Sequence, residues 1–116
     1  MDYWKFKTLP NSLKTYEICL EAVRKIGYSL DYVPTKHKTY ELCLEAVKQD
    51  GYALLYVPVH HKTYELYSQA VKNDAYALQF VPEKHRDSIM CLTALQSKPD
   101  AIEWVPEQFK NLIKDL

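Results

Sequence analysis

Valine followed by proline recurs every 24 residues in this chain, at Val33-Pro34, Val57-Pro58, Val81-Pro82 and Val105-Pro106. Tyrosine keeps the same step at Tyr16, Tyr40 and Tyr64, and again at Tyr28, Tyr52 and Tyr76. A unit of this size cannot bury an apolar face alone, so a fixed period between roughly 20 and 50 residues implies a stack in which each unit covers its neighbours. The architecture then follows from one unit and from how the stack ends.

The second unit is the clearest. Thr39 is a good N-cap directly before an apolar-periodic run, and Thr15, Thr63 and Asp87 hold the same place in the other units. Glu17, Glu41 and Glu65 follow in the first turn, where a carboxylate meets the positive end of the helix dipole. The spacing predicts helices over about 16–26, 40–50, 64–74 and 88–97, with Leu42, Cys43, Ala46 and Val47 facing inward and Tyr40 and Leu44 widening that face. Gly27 and Gly51 end the first two helices as residues able to take the left-handed C′ conformation; Ala75 and Pro99 stand there later, and the alanine implies that left-handed geometry is not strictly required. The segment from Tyr52 to Val57 shows no strict alternation and reads as a short α or 3₁₀ helix antiparallel to the first, with Asp100 expected to cap its fourth copy.

Residues 1–12 read as an N-terminal half-repeat, with Trp4, Phe6, Leu9 and Pro10 in phase with Tyr28, Leu30, Val33 and Pro34. Residues 107–116 read as an amphipathic capping helix with Phe109, Leu112, Ile113 and Leu116 at helical spacing. Between these caps lie repeats 13–36, 37–60, 61–84 and 85–106, all in one domain. The expected fold is all-α, a short α-solenoid: a superhelical array of two-helix repeats. Two dissimilar caps also suit a complete protein.

The strings Tyr40 to Leu54 and Ala70 to Gln79 resemble the short tandem helical repeats grouped as domain-of-unknown-function family 4116. The resemblance covers roughly residues 13 to 106 and implies an α-helical array; it carries no catalytic residues over to this chain.

Fifteen lysines and arginines balance fifteen aspartates and glutamates, so no global field draws the chain to nucleic acid or an anionic membrane. The N-terminus has no signal-type apolar region and no apolar run approaches a membrane span, which suits a soluble, cytoplasmic protein without a membrane partner. Cys19, Cys43 and Cys91 recur at one repeat position, and neighbouring units about 10 Å apart exceed the ~7 Å reach of a disulfide, so they read as small buried apolar residues. With two glycines there is no phosphate-cradling loop, and the common hydrolase, zinc and redox motifs are missing. No catalytic residue, cofactor or metal ligand is expected.

Function would show in the ladders that a repeat projects along its length. His37, His61 and His85 form one, followed by Lys38, Lys62 and Arg86, with Lys14 extending the basic line. Histidines a full unit apart cannot share one zinc ion, which needs ligands ~2 Å away. They read first as packing groups in the inter-repeat loop, beside solvated charges; the alternative is a basic stripe for an acidic or phosphate-bearing partner, strengthening below pH ~6.5. Glu21 with Lys25, and Glu45 with Lys48, read as pairs along one helix. The tyrosines form columns, the third being Tyr32 and Tyr56 with Phe80 and Trp104, suited to packing between units.

Positions that vary between units are the least constrained by packing: Asp31, Leu55, Gln79 and Glu103; Lys25, Gln49, Asn73 and Ser97; Thr35, Val59 and Glu83. Leu55 and Val59 near His60 would be odd on an idle surface, so Leu55, Val59, His60, Gln79 and Glu83 form the expected contact patch. The resulting expectation is a monomeric, non-enzymatic protein–protein interaction module or scaffold. The alternative is a small inhibitor or binder of a nucleic-acid-handling enzyme or nucleoprotein, of phage or viral type, using Lys14, His37, Lys38, His61, Lys62, His85 and Arg86.

Overall fold

A computed structural model describes residues 1–114 of the chain. Among the described residues six α-helices carry the fold: α1 (Tyr3–Thr8), α2 (Tyr16–Lys25), α3 (Tyr40–Gln49), α4 (Tyr64–Asn73), α5 (Ser88–Ser97) and α6 (Glu107–Lys114). Each of α2 to α5 is followed by a six-residue 3₁₀ helix, at Gly27–Tyr32, Gly51–Tyr56, Ala75–Phe80 and Pro99–Trp104. Successive α-helices stack side by side, as do successive 3₁₀ helices, in a rod of 55 × 25 × 16 Å. The described residues contain no strand, and the fold is the expected all-α solenoid of period 24.

The caps work as their residue types predict. Thr15, Thr39 and Thr63 each accept through Oγ1 from the backbone N–H three residues on, at 3.2 Å, and the Asp87 carboxylate does the same for Met90 at 2.9 Å. Leu42, Cys43, Ala46 and Val47 are fully buried, as the periodicity of α3 requires, and Leu30, Leu54 and Leu78 meet that seam from the 3₁₀ helices. Phe6 of α1 closes the first unit in the phase expected of it.

The helix ends differ from expectation. No described residue, glycine included, has a positive φ. The break is made one residue earlier by an extended backbone at Ile26, Asp50, Asp74 and Lys98, with φ between −136° and −150°. Glycine is needed for a different reason. A Cβ on Gly51 would lie 2.7 Å from the Ala70 carbonyl oxygen of the next α-helix, and one on Gly27 would collide with the Ala46 carbonyl. The glycines admit the neighbouring backbone, not a left-handed turn. Ala75 replaces them at the third boundary, where α4 and α5 pack less extensively than α2 and α3.

Two further features were not foreseen. Asp50 and Asp74 cap the 3₁₀ helices by accepting from the Tyr52 and Tyr76 N–H groups, each at 3.0 Å. Asp100, expected in that role, lies inside its 3₁₀ helix behind Lys98 and instead accepts the Tyr76 hydroxyl at 3.2 Å. The inter-repeat loop also contains a third helical element, a single 3₁₀ turn at Thr35–His37, Val59–His61 and Glu83–His85. Each turn starts behind the proline of the Val-Pro pair, whose φ of −55° to −58° suits the entry and whose missing N–H costs no helical bond there.

At the far end, Phe109 and Ile113 of α6 pack on the core, Leu112 is exposed, and Leu116 lies outside the described residues. No helix among the described residues is long and apolar enough to cross a membrane.

Gly51→Ala is expected to destabilise the chain by about 1–3 kcal/mol, the usual range for overpacking against a backbone that must shift. Urea denaturation followed by circular dichroism measures it; an unchanged midpoint would show that the close approach is not limiting.

Candidate interaction surface

The basic ladder is turned inward. Lys14 is only 4% exposed; its Nζ donates to the Tyr32 carbonyl at 2.8 Å and stands 4.7 Å from the centre of the Phe6 ring. Lys38 repeats the bond one unit later, to the Tyr56 carbonyl at 3.3 Å. Arg86 donates to the Trp104 carbonyl at 2.8 Å and also to Val81 and Gln79 of the preceding unit, at 2.6 and 3.3 Å. Each cation thus meets the carbonyl end of a short helix, where positive charge is favourable. Lys62 holds the equivalent half-buried place. The expected solvated charges, or phosphate-binding stripe, are corrected to struts inside the repeat, because Lys14, Lys38 and Arg86 spend their donors on backbone carbonyls.

The histidines are struts between units. His61 Nε2 lies 2.9 Å from the Lys38 carbonyl, and since a carbonyl only accepts, that nitrogen carries the proton. His37 packs against Tyr16, His61 against Tyr40 and His85 against Tyr67. No group of three or more potential metal-ligating side chains occurs among the described residues.

The tyrosine columns join units as well. The Tyr16 hydroxyl shares a 3.1 Å hydrogen bond with Thr39, and Tyr40 shares one of 3.2 Å with Thr63, so each ties to the cap of the next helix. At the third boundary the cap is Asp87, and its hydrogen bond to the Tyr64 phenol raises that phenol's pKa. Tyr52 packs edge-on against Phe80, and Tyr76 against Trp104, linking the second column to the third.

Two variable positions prove structural. Asn73 is a clamp: its Oδ1 accepts from the Gly51 N–H at 2.8 Å and its Nδ2 donates to the Lys48 carbonyl at 2.7 Å, holding the end of α3. Gln79 bonds the Tyr76 carbonyl of its own 3₁₀ helix at 3.0 Å. Among the charge pairs, Glu21 meets Lys25 at 3.7 Å as expected, while Glu45 turns from Lys48 to Arg24 of the preceding unit, also at 3.7 Å.

Cys19, Cys43 and Cys91 are free and fully buried, and burial raises all three thiol pKa values, that of Cys43 to about 11. Such thiols are poor nucleophiles at neutral pH.

Of the expected patch, the two aliphatic members are the most distinctive. Leu55 is 53% exposed on the 3₁₀ helix Gly51–Tyr56, and Val59 is 82% exposed on the turn that follows. His60 is exposed beside Val59, its ring 4.1 Å from that of His61, and borders an open groove shared with Tyr40, Thr63, Tyr64 and Glu65. Glu83 is exposed one unit on, whereas Gln79 is half-buried. The sequence reading overlooked a second apolar area: Ile89 and Leu92 on α5 and Leu112 on α6 are exposed, and Leu92 and Leu112 flank an apolar crevice with Phe109 and Ile113. A signal was available, since α5 alone among the four repeat helices has no charged residue.

The family described as a domain of unknown function, DUF4116, matches the chain twice in tandem, over residues 15–62 and 63–110. Each match spans about 48 residues, two of the 24-residue units. Comparison with curated proteins and with solved structures gives no match.

Lys14→Met, which keeps the stem and removes the donor, is expected to cost about 1.5–3 kcal/mol, whereas Lys72→Met on the exposed side should stay within about 0.5 kcal/mol. Equal denaturation midpoints for the two variants would contradict the strut. For Cys43, the raised folded-state pKa means that its contribution to stability is complete below the unfolded thiol's pKa and is lost as pH rises towards about 11. A thiol reagent at pH 8 should therefore label the three cysteines only as fast as the chain unfolds, a rate followed by mass spectrometry in increasing urea.

Proposed function

We propose that this chain, which belongs to the family of the domain of unknown function DUF4116, is a non-enzymatic protein–protein interaction module. The observation that carries this reading is the pair Leu55 and Val59, two aliphatic side chains on consecutive 3₁₀ elements, both facing solvent. Equivalent positions in other units carry Asp31, Gln79 and Glu103, or Thr35 and Glu83, so the repeat itself does not require an aliphatic there. His60 supplies a polar neighbour, and Glu83 a charge one unit away, which together resemble the apolar centre and polar rim of a contact surface. A rigid array of inter-unit hydrogen bonds presents these groups at fixed spacing, which lowers the ordering cost of binding.

The nucleic-acid alternative relied on the basic ladder. Lys14, Lys38 and Arg86 donate to carbonyls within the fold, so a phosphate would have to displace those bonds.

Affinity capture at ~0.1 M and ~0.5 M salt, with wild type beside Leu55→Asp/Val59→Asp, tests the reading, because phosphate contacts weaken steeply with salt and apolar contacts do not. A protein held at both salt concentrations and lost from the folded variant is the expected result. Nucleic acid held only at low salt, indifferent to the variant, would overturn it.

A further inference from the structure

The first unit is short of one element. α1 and the 3₁₀ turn Asn11–Leu13 stand 24 residues before Gly27–Tyr32 and Thr35–His37, so they fill the second and third places of a unit; among the described residues no α-helix fills its first. At the later boundaries an α-helix in that place covers the next one. A Cβ on Gly27 would meet Ala46 and Asp50, and one on Gly51 would meet Ala70 and Asp74. Tyr16 reaches the cap Thr39, and Arg24 meets Glu45. The flank of α2 with no such neighbour carries the equivalents of these residues one unit earlier, Thr15, Glu21, Ala22 and Ile26, with Ile18 standing for Leu42.

That flank is apolar and open. Ile18 is half-buried where Leu42, Leu66 and Met90 are at most 2% exposed, and Ala22 keeps 9% where Ala46, Ala70 and Ala94 keep none. Ile26 takes the position of Asp50 and Asp74 and gives up their capping bond to the following 3₁₀ helix. It lines a cavity of about 110 Å³ with Met1, Tyr3, Phe6, Ala22 and Ser29. α1 leaves the flank uncovered because it packs on Gly27–Tyr32, as successive 3₁₀ helices pack on one another. A terminal unit ordinarily turns a polar face outward. The far end does so: α6 sets Phe109 and Ile113 on the core and exposes Glu107, Gln108 and Asn111 beside Leu112.

We propose that the open flank of α2 takes an amphipathic α-helix of a partner protein, about ten residues long and lying on α2 as α2 lies on α3, which completes the first unit. The next boundary sets the chemistry of that helix. Opposite Thr15 it carries a first-turn tyrosine, as Tyr16 stands opposite Thr39, and opposite Glu21 a basic residue eight positions later, as Arg24 meets Glu45. An apolar stripe between the two covers Ile18 and Ala22. Glu21 meets Lys25 of its own helix at 3.7 Å, an exposed pair that yields readily to a new partner. A second copy is a poor occupant, since α2 to α5 are packed within their own stack and α6 turns glutamate, glutamine and asparagine outward. The inference concerns one end of the rod and does not rest on Leu55 and Val59.

The probe is a synthetic peptide of residues 15–27, the helix that holds this place at the next boundary. Cys19→Ala prevents its oxidation, and a lactam between its Glu21 and Lys25, on the side away from the contact, lowers the ordering cost. Titrated into isotope-labelled protein and followed by NMR, it should bind saturably with a Kd on the order of 10–100 μM and shift the amides of Ile18, Ala22 and Ile26. Ala22→Lys in the protein puts a long side chain where the seam admits alanine, and should weaken binding about tenfold or more. Glu21→Lys, on an exposed side chain, should weaken it roughly two- to fivefold, and a peptide with Arg24→Glu should recover the loss. Circular dichroism checks that both variants keep their helices. A peptide that does not saturate by ~1 mM would overturn the proposal. So would binding that Ala22→Lys leaves unchanged, a charge swap with no recovery, or shifts centred on Leu55 and Val59. Shifts throughout α3, as a peptide displacing α2 itself would give, overturn it too, as do shifts at Ile18 and Ala22 on concentrating the protein alone, the sign of a second copy in that place.

Discussion

The contact on which the rest of the stack depends is that of one α-helix's backbone with the residue that ends the helix before it. Helices of ten and six residues are marginal in isolation, since nucleation is costly and few bonds repay it. They persist here because each is buried against two neighbours, and the stacking distance is set where Gly27 meets the Ala46 carbonyl and Gly51 meets that of Ala70. The alanines of the α-helices serve the same end, with Ala46, Ala70 and Ala94 fully buried at the seam. Where Ala75 replaces glycine the neighbouring helices pack less extensively, so the local residue tunes the join between units.

Close stacking of short helices creates a second demand. Each helix end leaves carbonyls without intrahelical partners, and a rod built of many short helices has many ends. The chain meets this with repeated side chains: threonine at the α-helix start, aspartate at the 3₁₀ start, and Lys14, Lys38 or Arg86 at the 3₁₀ finish. Tyr16 and Tyr40 then tie their own helices to the next cap. No buried side-chain nitrogen or oxygen among the described residues lacks a partner. The polar ladders that look like a binding stripe are therefore largely structural, and the surface left for recognition is what the ladders do not use.

That remainder is uneven along the rod. The 3₁₀ side carries Leu55 and Val59 in the second unit alone, and the α-helical side carries charge in α2, α3 and α4 but none in α5, where Ile89 and Leu92 are exposed. Departures from the repeat thus mark surface on both sides, except where the varied residue has a structural task, as Asn73 does in clamping the end of α3.

The period of 24, the helix starts and the inward stripe of α3 were legible in sequence because each depends on residues near one another along the chain. Threonine before an apolar-periodic run specifies a helix start whatever surrounds it. The purpose of the glycines, the partners of Lys14 and Arg86, the clamp of Asn73 and the turn of Glu45 towards Arg24 were decided by tertiary structure. Each of these depends on a backbone atom or charge that lies some 18 or more residues away and is brought close only by stacking. A residue's type and spacing fix what it can bond; which carbonyl stands opposite it is set by how one unit lies on the next.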